Sequence, residues 1–199
     1  MLLKLEGKNI RNLDSFTLHC GPSANVICGK NGSGKTSLLE AIYFLGRGRS
    51  FRTRDAKTVI KVGQSELVVS AQVDRHQNGL VSKIGVLRTN KGEFVARQDG
   101  RIIRTAGELA VQLPIQLIDA HSFLLLEGGA QQRRQFLDWG VFHVEHSYMA
   151  LWRRFHKALK QRNQLLKHDR LRASELELWS RELVGLSVSI AEKREEYMH

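Results

Sequence analysis

The stretch CGKNGSGKTSLLEAIYFLGRGRSFRTR, residues 28–54, decides the fold. Gly29, Lys30, Asn31, Gly32, Ser33, Gly34, Lys35 and Thr36 satisfy the pattern G-x-x-x-x-G-K-[ST]. The glycines let the backbone curl so that successive N–H groups converge on a phosphate, where a Cβ would obstruct. The helix that follows offers unpaired N-terminal amides and the positive end of its dipole to the same anion. Lys35 is a movable point charge for β- and γ-phosphates, the Thr36 hydroxyl is the expected Mg²⁺ ligand, and Ser37 completes the set expected to hold ATP. A chance match somewhere in 199 residues has odds on the order of one in a hundred from average composition.

The flanks suit this reading. Residues 2–6 (LLKLE), 15–20 (SFTLHC) and 24–28 (ANVIC) read as short strands, the last leading into the glycine loop. Leu38, Leu39, Ile42 and Leu45 recur at helical spacing over 35–45, and Gly46 is the expected helix stop. Arg47, Arg49, Arg52 and Arg54 follow within eight residues, an arginine loop that suits DNA phosphates, a nucleotide or structural ion pairs.

Further along, Leu67, Val69, Ala71 and Val73 alternate with polar residues, and the turn signals Asn78-Gly79, Asn90-Lys91-Gly92 and Asp99-Gly100 divide an antiparallel meander over 65–104. A short helix over 105–113 is expected, with Thr105 as cap and Glu108 closing a capping box. Pro114 then introduces IQLID (115–119), which reads as a core strand. From about Ser147 glycine becomes scarce. Tyr148, Trp152, Phe155, Leu159 and Leu166, then Leu176, Trp179, Leu183, Leu186 and Ile190, give seams of two antiparallel helices around a polar turn at 167–172. The basic flanks Arg153, Arg154, Lys157, Lys160, Arg162 and Lys167 read as a solvated face or as a DNA contact.

Composition bounds the function. The 199 residues are 42% hydrophobic and 26% charged, as in folded globular chains. The longest apolar runs, such as FLLL at 123–126, are far short of a membrane span, and MLLKLEGKNI lacks signal-peptide features, so a cytoplasmic protein is expected. Cys20 and Cys28 read as buried free thiols. His143 and His146 read as surface or packing residues and not as a metal pair. The net charge of +11, from 31 Lys and Arg against 20 Asp and Glu, favours phosphate backbones as partners.

Two stretches imitate the rest of an ATPase. IQLID ends in Asp119 like the acidic strand that helps hold Mg²⁺, and LLEGGAQQRRQ (125–135) resembles the LSGGQ signature of ABC-type heads. Their order is reversed, Ala120 stands where a catalytic glutamate is expected, and Glu127 replaces the signature serine, so neither is accepted. Arg133 and Arg134 remain candidate phosphate contacts.

Taken with GKNGSGKTSLLEAIYFLGRGRSFR, the runs PIQLIDAHSFLLLEGGAQQRRQFLDWGVFH and KALKQRNQLL resemble the N-terminal half of the RecF family, bacterial recombination-mediator ATPases related to ABC and SMC-type heads. The resemblance runs through the whole chain in the same motif order. The sequence departs from it at Ala120-His121, where the family usually has Pro-Glu. The resemblance implies an α/β fold: a P-loop half-head with an antiparallel β-subdomain over 1–143, then an incomplete helical hairpin arm over 144–199, with the C-terminal half-head beyond His199. It also implies ATP and Mg²⁺ as cofactors, homodimerisation on ATP binding, and DNA with gaps or single-strand/duplex junctions as ligand. RecR and RecO are the implied partners in loading recombinase. Lacking the acidic strand and signature, the chain is expected to bind ATP and not to turn it over alone. Two other classes stay open: a kinase-like phosphotransferase, for which no acceptor lid is visible, and a DNA-binding fragment without turnover.

Overall fold

The computed structural model describes residues 1–74, 79–145, 147–167 and 173–199. The expected turn residue Asn78, His146 and most of the polar turn at 167–172 lie outside the described residues. The chain divides into two compact units, Met1–Leu117 and Ile118–His199.

In the first unit β1 (Leu2–Ile10) and β2 (Leu13–His19) form a hairpin, followed by α1 (Lys35–Arg47) and a 3₁₀ turn at Ala56–Val59. β3 (Glu66–Asp74), β4 (Val81–Thr89), β5 (Phe94–Gln98), β6 (Arg101–Ile103) and α2 (Ala106–Gln112) complete it. The strands make one antiparallel sheet among the described residues, in the order β2-β1-β3-β4-β5-β6. The expected meander is therefore continuous with the N-terminal hairpin through the β1–β3 pair, which aligns Leu5 with Ala71 and Gly7 with Val69.

The period-two pattern on β3 has a plain cause. Leu67, Val69, Ala71 and Val73 point inward with Leu5, Ile84, Val86 and Ala96, and all are buried beneath Ala41, Phe44 and Leu45 of α1. Each such large apolar side chain contributes roughly 1.5–3 kcal/mol by burial. Phe44 meets Phe94 edge-on at 6.2 Å between ring centroids. Asp99 and Gly100 both adopt left-handed backbone, φ 48° and 84°, as a two-residue hairpin turn requires. The Thr105 cap is also present: its Oγ1 accepts from the Glu108 N–H at 3.1 Å, and Glu108 accepts from the Arg104 N–H at 3.1 Å.

Several expectations need correction. Gly46 does not stop α1; the helix runs to Arg47 and Gly48 caps it at φ 64°, donating to the Phe44 carbonyl. Gly46 lies buried inside the helix because a Cβ there would come within 2.4 Å of Ile115 and 2.8 Å of the Leu113 carbonyl. Leu39, assigned to the apolar face, is exposed, and the buried face carries Ser37, Glu40, Ala41, Phe44 and Leu45.

Neither 24–28 nor 115–119 is a strand, since no described residue pairs with either run and β propensity without a neighbouring strand is too weak. Val26 and Ile118 are accordingly more than 80% exposed, at 84% and 83%. For the same reason Cys28 is exposed and not buried, while Cys20 is half-buried and its thiol pKa is pushed up by burial.

The second unit is helical: a 3₁₀ turn at Ala120–Phe123, α3 (Leu124–Glu127), α4 (Ala130–Val144), α5 (Tyr148–Leu165) and α6 (Ala173–Met198). α5 and α6 run antiparallel, pairing Arg154 with Glu182, Arg162 with Ser180 and Tyr148 with the level of Arg194. Tyr148, Ala158, Leu186 and Ile190 are the buried points of the seam, whereas Leu166 is 46% exposed just past the end of α5. α4, expected to belong with residues 1–143, falls in the same compact unit as the hairpin. Asp138 on α4 explains why: it accepts from Arg194 Nε at 2.8 Å and Nη2 at 2.7 Å, from Trp152 Nε1 at 3.4 Å, and from the Tyr148 hydroxyl. Burial and then the hydrogen bond to Asp138 push the Tyr148 phenol well above its ordinary pKa, so it remains a donor. Gly140 is buried because the Tyr197 ring lies where its Cβ would be, within 2.3 Å.

Candidate nucleotide-binding site

Residues 29–36 form an exposed loop capped by the first turn of α1. Gly32 and Gly34 take φ of 78° and 96°, and Gly29 lies at 157°, so the backbone uses conformations that side chains resist. Gly34 has a second constraint: a Cβ there would come within 2.6 Å of Leu13 Cδ2. At Gly32 a Cβ would meet nothing within 4 Å, so that side of the loop is open space. Lys35 Nζ donates to the Gly29 carbonyl at 2.7 Å and the Lys30 carbonyl at 2.8 Å, holding its charge against the loop. Thr36 is exposed at the start of α1. A curled glycine backbone, a helix N-terminus, a movable ammonium and an exposed hydroxyl fit a nucleotide triphosphate with Mg²⁺.

Ser37 is placed differently. It is buried, and its Oγ donates to Asn12 Oδ1 at 2.8 Å. Asn12 in turn donates from Nδ2 to the Gly32 carbonyl at 2.9 Å. The β1–β2 turn thus ties the loop to its helix through one amide, a link absent from the sequence reading. Asn12→Ala should weaken ATP binding about tenfold, since losing a loop-ordering hydrogen bond costs about 1 kcal/mol or somewhat more. Calorimetric titration with ATP measures it, and the ligand-free melting temperature should fall by a few degrees as well, because the buried Ser37 hydroxyl loses its acceptor.

The neighbouring residue of the same turn does different work. Arg11, at φ 51°, donates to both oxygens of Glu40, at 2.8 Å from Nε and 2.7 Å from Nη2, and to the Thr58 carbonyl at 2.6 Å. Glu40 is fully buried on α1, one turn beyond Lys35 and Thr36. It also accepts from the Ser50 hydroxyl, and Arg52 Nη1 stands 3.5 Å from it. Ser50 Oγ then accepts from the Arg52 and Thr53 N–H groups at 2.9 and 3.1 Å, which shapes the arginine loop. Burial raises the Glu40 pKa, but hydrogen bonds from Arg11 and Ser50 and the charges of Arg11 and Arg52 outweigh it and leave the carboxyl below its ordinary value. A glutamate within the 37/40/41/44 buried periodicity was the available signal for this centre.

The four arginines of that loop are not equivalent. Arg47 is half-buried, donates to the Ile115 carbonyl at 3.1 Å, and has its pKa pushed down by burial. Arg52 is partly committed to Glu40, while Arg49 and Arg54 are exposed. Arg133 and Arg134 are exposed on the first turn of α4 in the other unit, and Arg133 donates to the Gly128 carbonyl at 2.8 Å. Asp119 caps a turn, its carbonyl accepting from the Ser122 N–H at 3.0 Å, and does not end a strand. His143 packs against Trp139 and Phe142. No group of three or more His, Cys, Asp or Glu suited to a metal occurs among the described residues, and no described helix is long and apolar enough to cross a membrane.

Comparison with known proteins agrees with the geometry. The family model described as the RecF/RecN/SMC N terminal domain matches residues 1–131. The DNA replication and repair protein RecF of Pseudomonas syringae pv. syringae is 49% identical over 197 residues, covering 99% of this chain and 53% of that protein. The RecF of Pseudomonas entomophila is 48% identical over the same span. The solved structure of the recombination mediator protein RecF-ATP in the RecFOR pathway superposes with a TM-score of 0.86 at 26% identity, over 99% of this chain and 53% of that one. The chain spans about half the length of the curated relatives it matches. With the family model matched over residues 1–131 and these relatives aligned along nearly its whole length, the chain belongs to the RecF family, as its N-terminal part.

Proposed function

We propose that the chain is the nucleotide-binding and DNA-binding part of a cytoplasmic RecF-type protein of recombinational repair and replication-fork maintenance. The observation that carries the reading is the open loop at 29–36, with left-handed Gly32 and Gly34 and with Lys35 held across it. Bound ATP·Mg²⁺ would supply a polyanion whose γ-phosphate a second copy can sense. In this chain the N–H groups of 29–36 bind the phosphates, Lys35 neutralises them, Thr36 orients the cation, and Asn12 keeps the loop curled. Homodimerisation on ATP binding, duplex DNA with gaps or junctions as ligand, and RecR and RecO as partners belong to the same reading. The chain by itself binds ATP without appreciable turnover.

The test is a salt titration of duplex DNA binding, with ATP and without nucleotide. If five or six phosphates are neutralised, log K should fall against log salt with a slope of roughly −5. Duplexes of equal length and different composition should bind alike, because phosphate contacts carry no base information. Arg49→Ala with Arg54→Ala should flatten the slope by about two units. DNA affinity that is absent or independent of salt would leave a nucleotide-binding module only.

A further inference from the structure

The helix α5, YMALWRRFHKALKQRNQL, carries five basic residues and no acidic one. Its partner α6 carries six glutamates against Arg181, Lys193 and Arg194. Charge is therefore segregated within one hairpin, whereas a solvated helix ordinarily mixes both signs for i,i+4 support. The segregation is also directional. The packed side of α5 is marked by Tyr148, Trp152, Phe155 and Ala158, all buried or half-buried. Arg153, Lys157 and Lys160 are exposed and recur at steps of four and three, so they share the stripe opposite that seam. Lys167, exposed just beyond the helix, extends the line. Arg154 and Arg162 lie off it and turn to Glu182 and Ser180 of α6.

We infer that this stripe of α5 is a rail for the phosphate backbone of duplex DNA, a surface separate from the arginine loop. At 1.5 Å rise per residue, Arg153 to Lys160 spans about 10 Å and Arg153 to Lys167 about 21 Å. One DNA strand offers a phosphate about every 3.4 Å along the axis, so the rail runs past about six phosphates and meets three or four. The occupant is duplex and not single strand because the aromatic residues of α5 are turned into the seam. A single-strand groove needs free rings on which bases stack, and the exposed ring beside this stripe, His156, already packs on Trp152 with ring centroids 3.8 Å apart. The stripe's charged groups are all donors with no carboxylate among them, so its contacts are dominated by phosphate oxygens, which carry no sequence information.

The inference rests on the DNA-binding reading, and the experiment separates the two. The full 199-residue chain and the triple variant Arg153→Gln, Lys157→Gln, Lys160→Gln are titrated with a 30-base-pair duplex and with 30-nucleotide oligo-dT across a salt series. All three substitutions are on the exposed face, so tryptophan fluorescence of Trp139, Trp152 and Trp179 should melt as in the parent. The variant should lose about three units of salt slope on duplex, at 0.9 per contact, and bind at least tenfold more weakly at 0.1 M salt. The parent should bind oligo-dT at least tenfold more weakly than duplex. An unchanged slope in this variant, with a flattened one in Arg49→Ala/Arg54→Ala, would overturn the rail and leave the DNA reading standing. Equal binding of oligo-dT and duplex by the parent would overturn the duplex assignment. Loss of affinity for an acidic polypeptide such as polyglutamate in place of DNA would assign the stripe to a protein partner and overturn the rail.

Discussion

Glu40→Ala should destabilise the Met1–Leu117 unit by about 3–5 kcal/mol, the cost of leaving a buried ion pair with one partner. The carboxylate has no solvent exposure and holds Arg11 through two hydrogen bonds, while Arg11 is itself only 21% exposed. Removing it strands a guanidinium under α1 and leaves the Ser50 hydroxyl without the acceptor that positions it. The stability loss should appear in urea as a midpoint lowered by about 1.5–3 M with little change in slope. Circular dichroism of the sheet is the suitable signal, because Trp139, Trp152 and Trp179 all lie in the other unit. The double variant Glu40→Leu/Arg11→Leu should recover much of the loss, since a matched apolar pair often equals a buried salt bridge. No recovery would mean that Arg11 acts mainly through the Thr58 carbonyl and that the pair is not the keystone. The effect also has a direction in pH. With the folded pKa held below the ordinary 4.5, the Glu40 contribution is complete above that value and is lost as pH falls through the folded one. The stability gap between parent and Glu40→Ala should therefore narrow in acid below pH 4.5.

The same centre shows what a single sequence can disclose. The glycine loop is legible because its requirement is local: left-handed backbone, then a helix start, within eight residues. The Thr105 cap and the Asp99-Gly100 turn are legible for the same reason, and the hairpin seams because a period of three and four repeats along each helix. Asn12 and Glu40 were missed because their meaning comes from partners 25 and 29 residues away. Nothing local marks an asparagine in a hairpin turn as the brace of a phosphate loop. Gly46 misled through a correct rule applied at the wrong glycine: Gly48, two residues on, is the left-handed cap, and Gly46 makes room for Ile115. At 24–28 and 115–119 the composition favours strands, but a strand exists only when paired, and the described residues offer these runs no neighbour.

Lys35→Ala should lower ATP affinity at least a hundredfold while leaving the ligand-free protein as stable as the parent. The asymmetry follows from where the ammonium lies. In the loop it donates only to the exposed carbonyls of Gly29 and Lys30, groups that water can satisfy when the side chain is removed. Facing a triphosphate, the same ammonium makes charge-assisted bonds worth roughly 1.5–3 kcal/mol each. Arg11 is bound to Glu40, and Arg47 is turned to the Ile115 carbonyl. Two such bonds exceed the 2.7 kcal/mol that a hundredfold change requires. ADP affinity should fall less than ATP affinity, because one of the two phosphates that Lys35 reaches is missing, and AMP should bind parent and variant alike. Thermal shift reads this directly: at a hundred times Kd the parent gains about 2.7 kcal/mol from ATP, and the variant at the same concentration gains about 0.4 kcal/mol or less. Equal stabilisation of both proteins by ATP would remove Lys35 from the site. Steady-state phosphate release by the parent, lost in Lys35→Ala, would show instead that residues 1–199 hold a complete catalytic set and would return Asp119 to consideration as an acid.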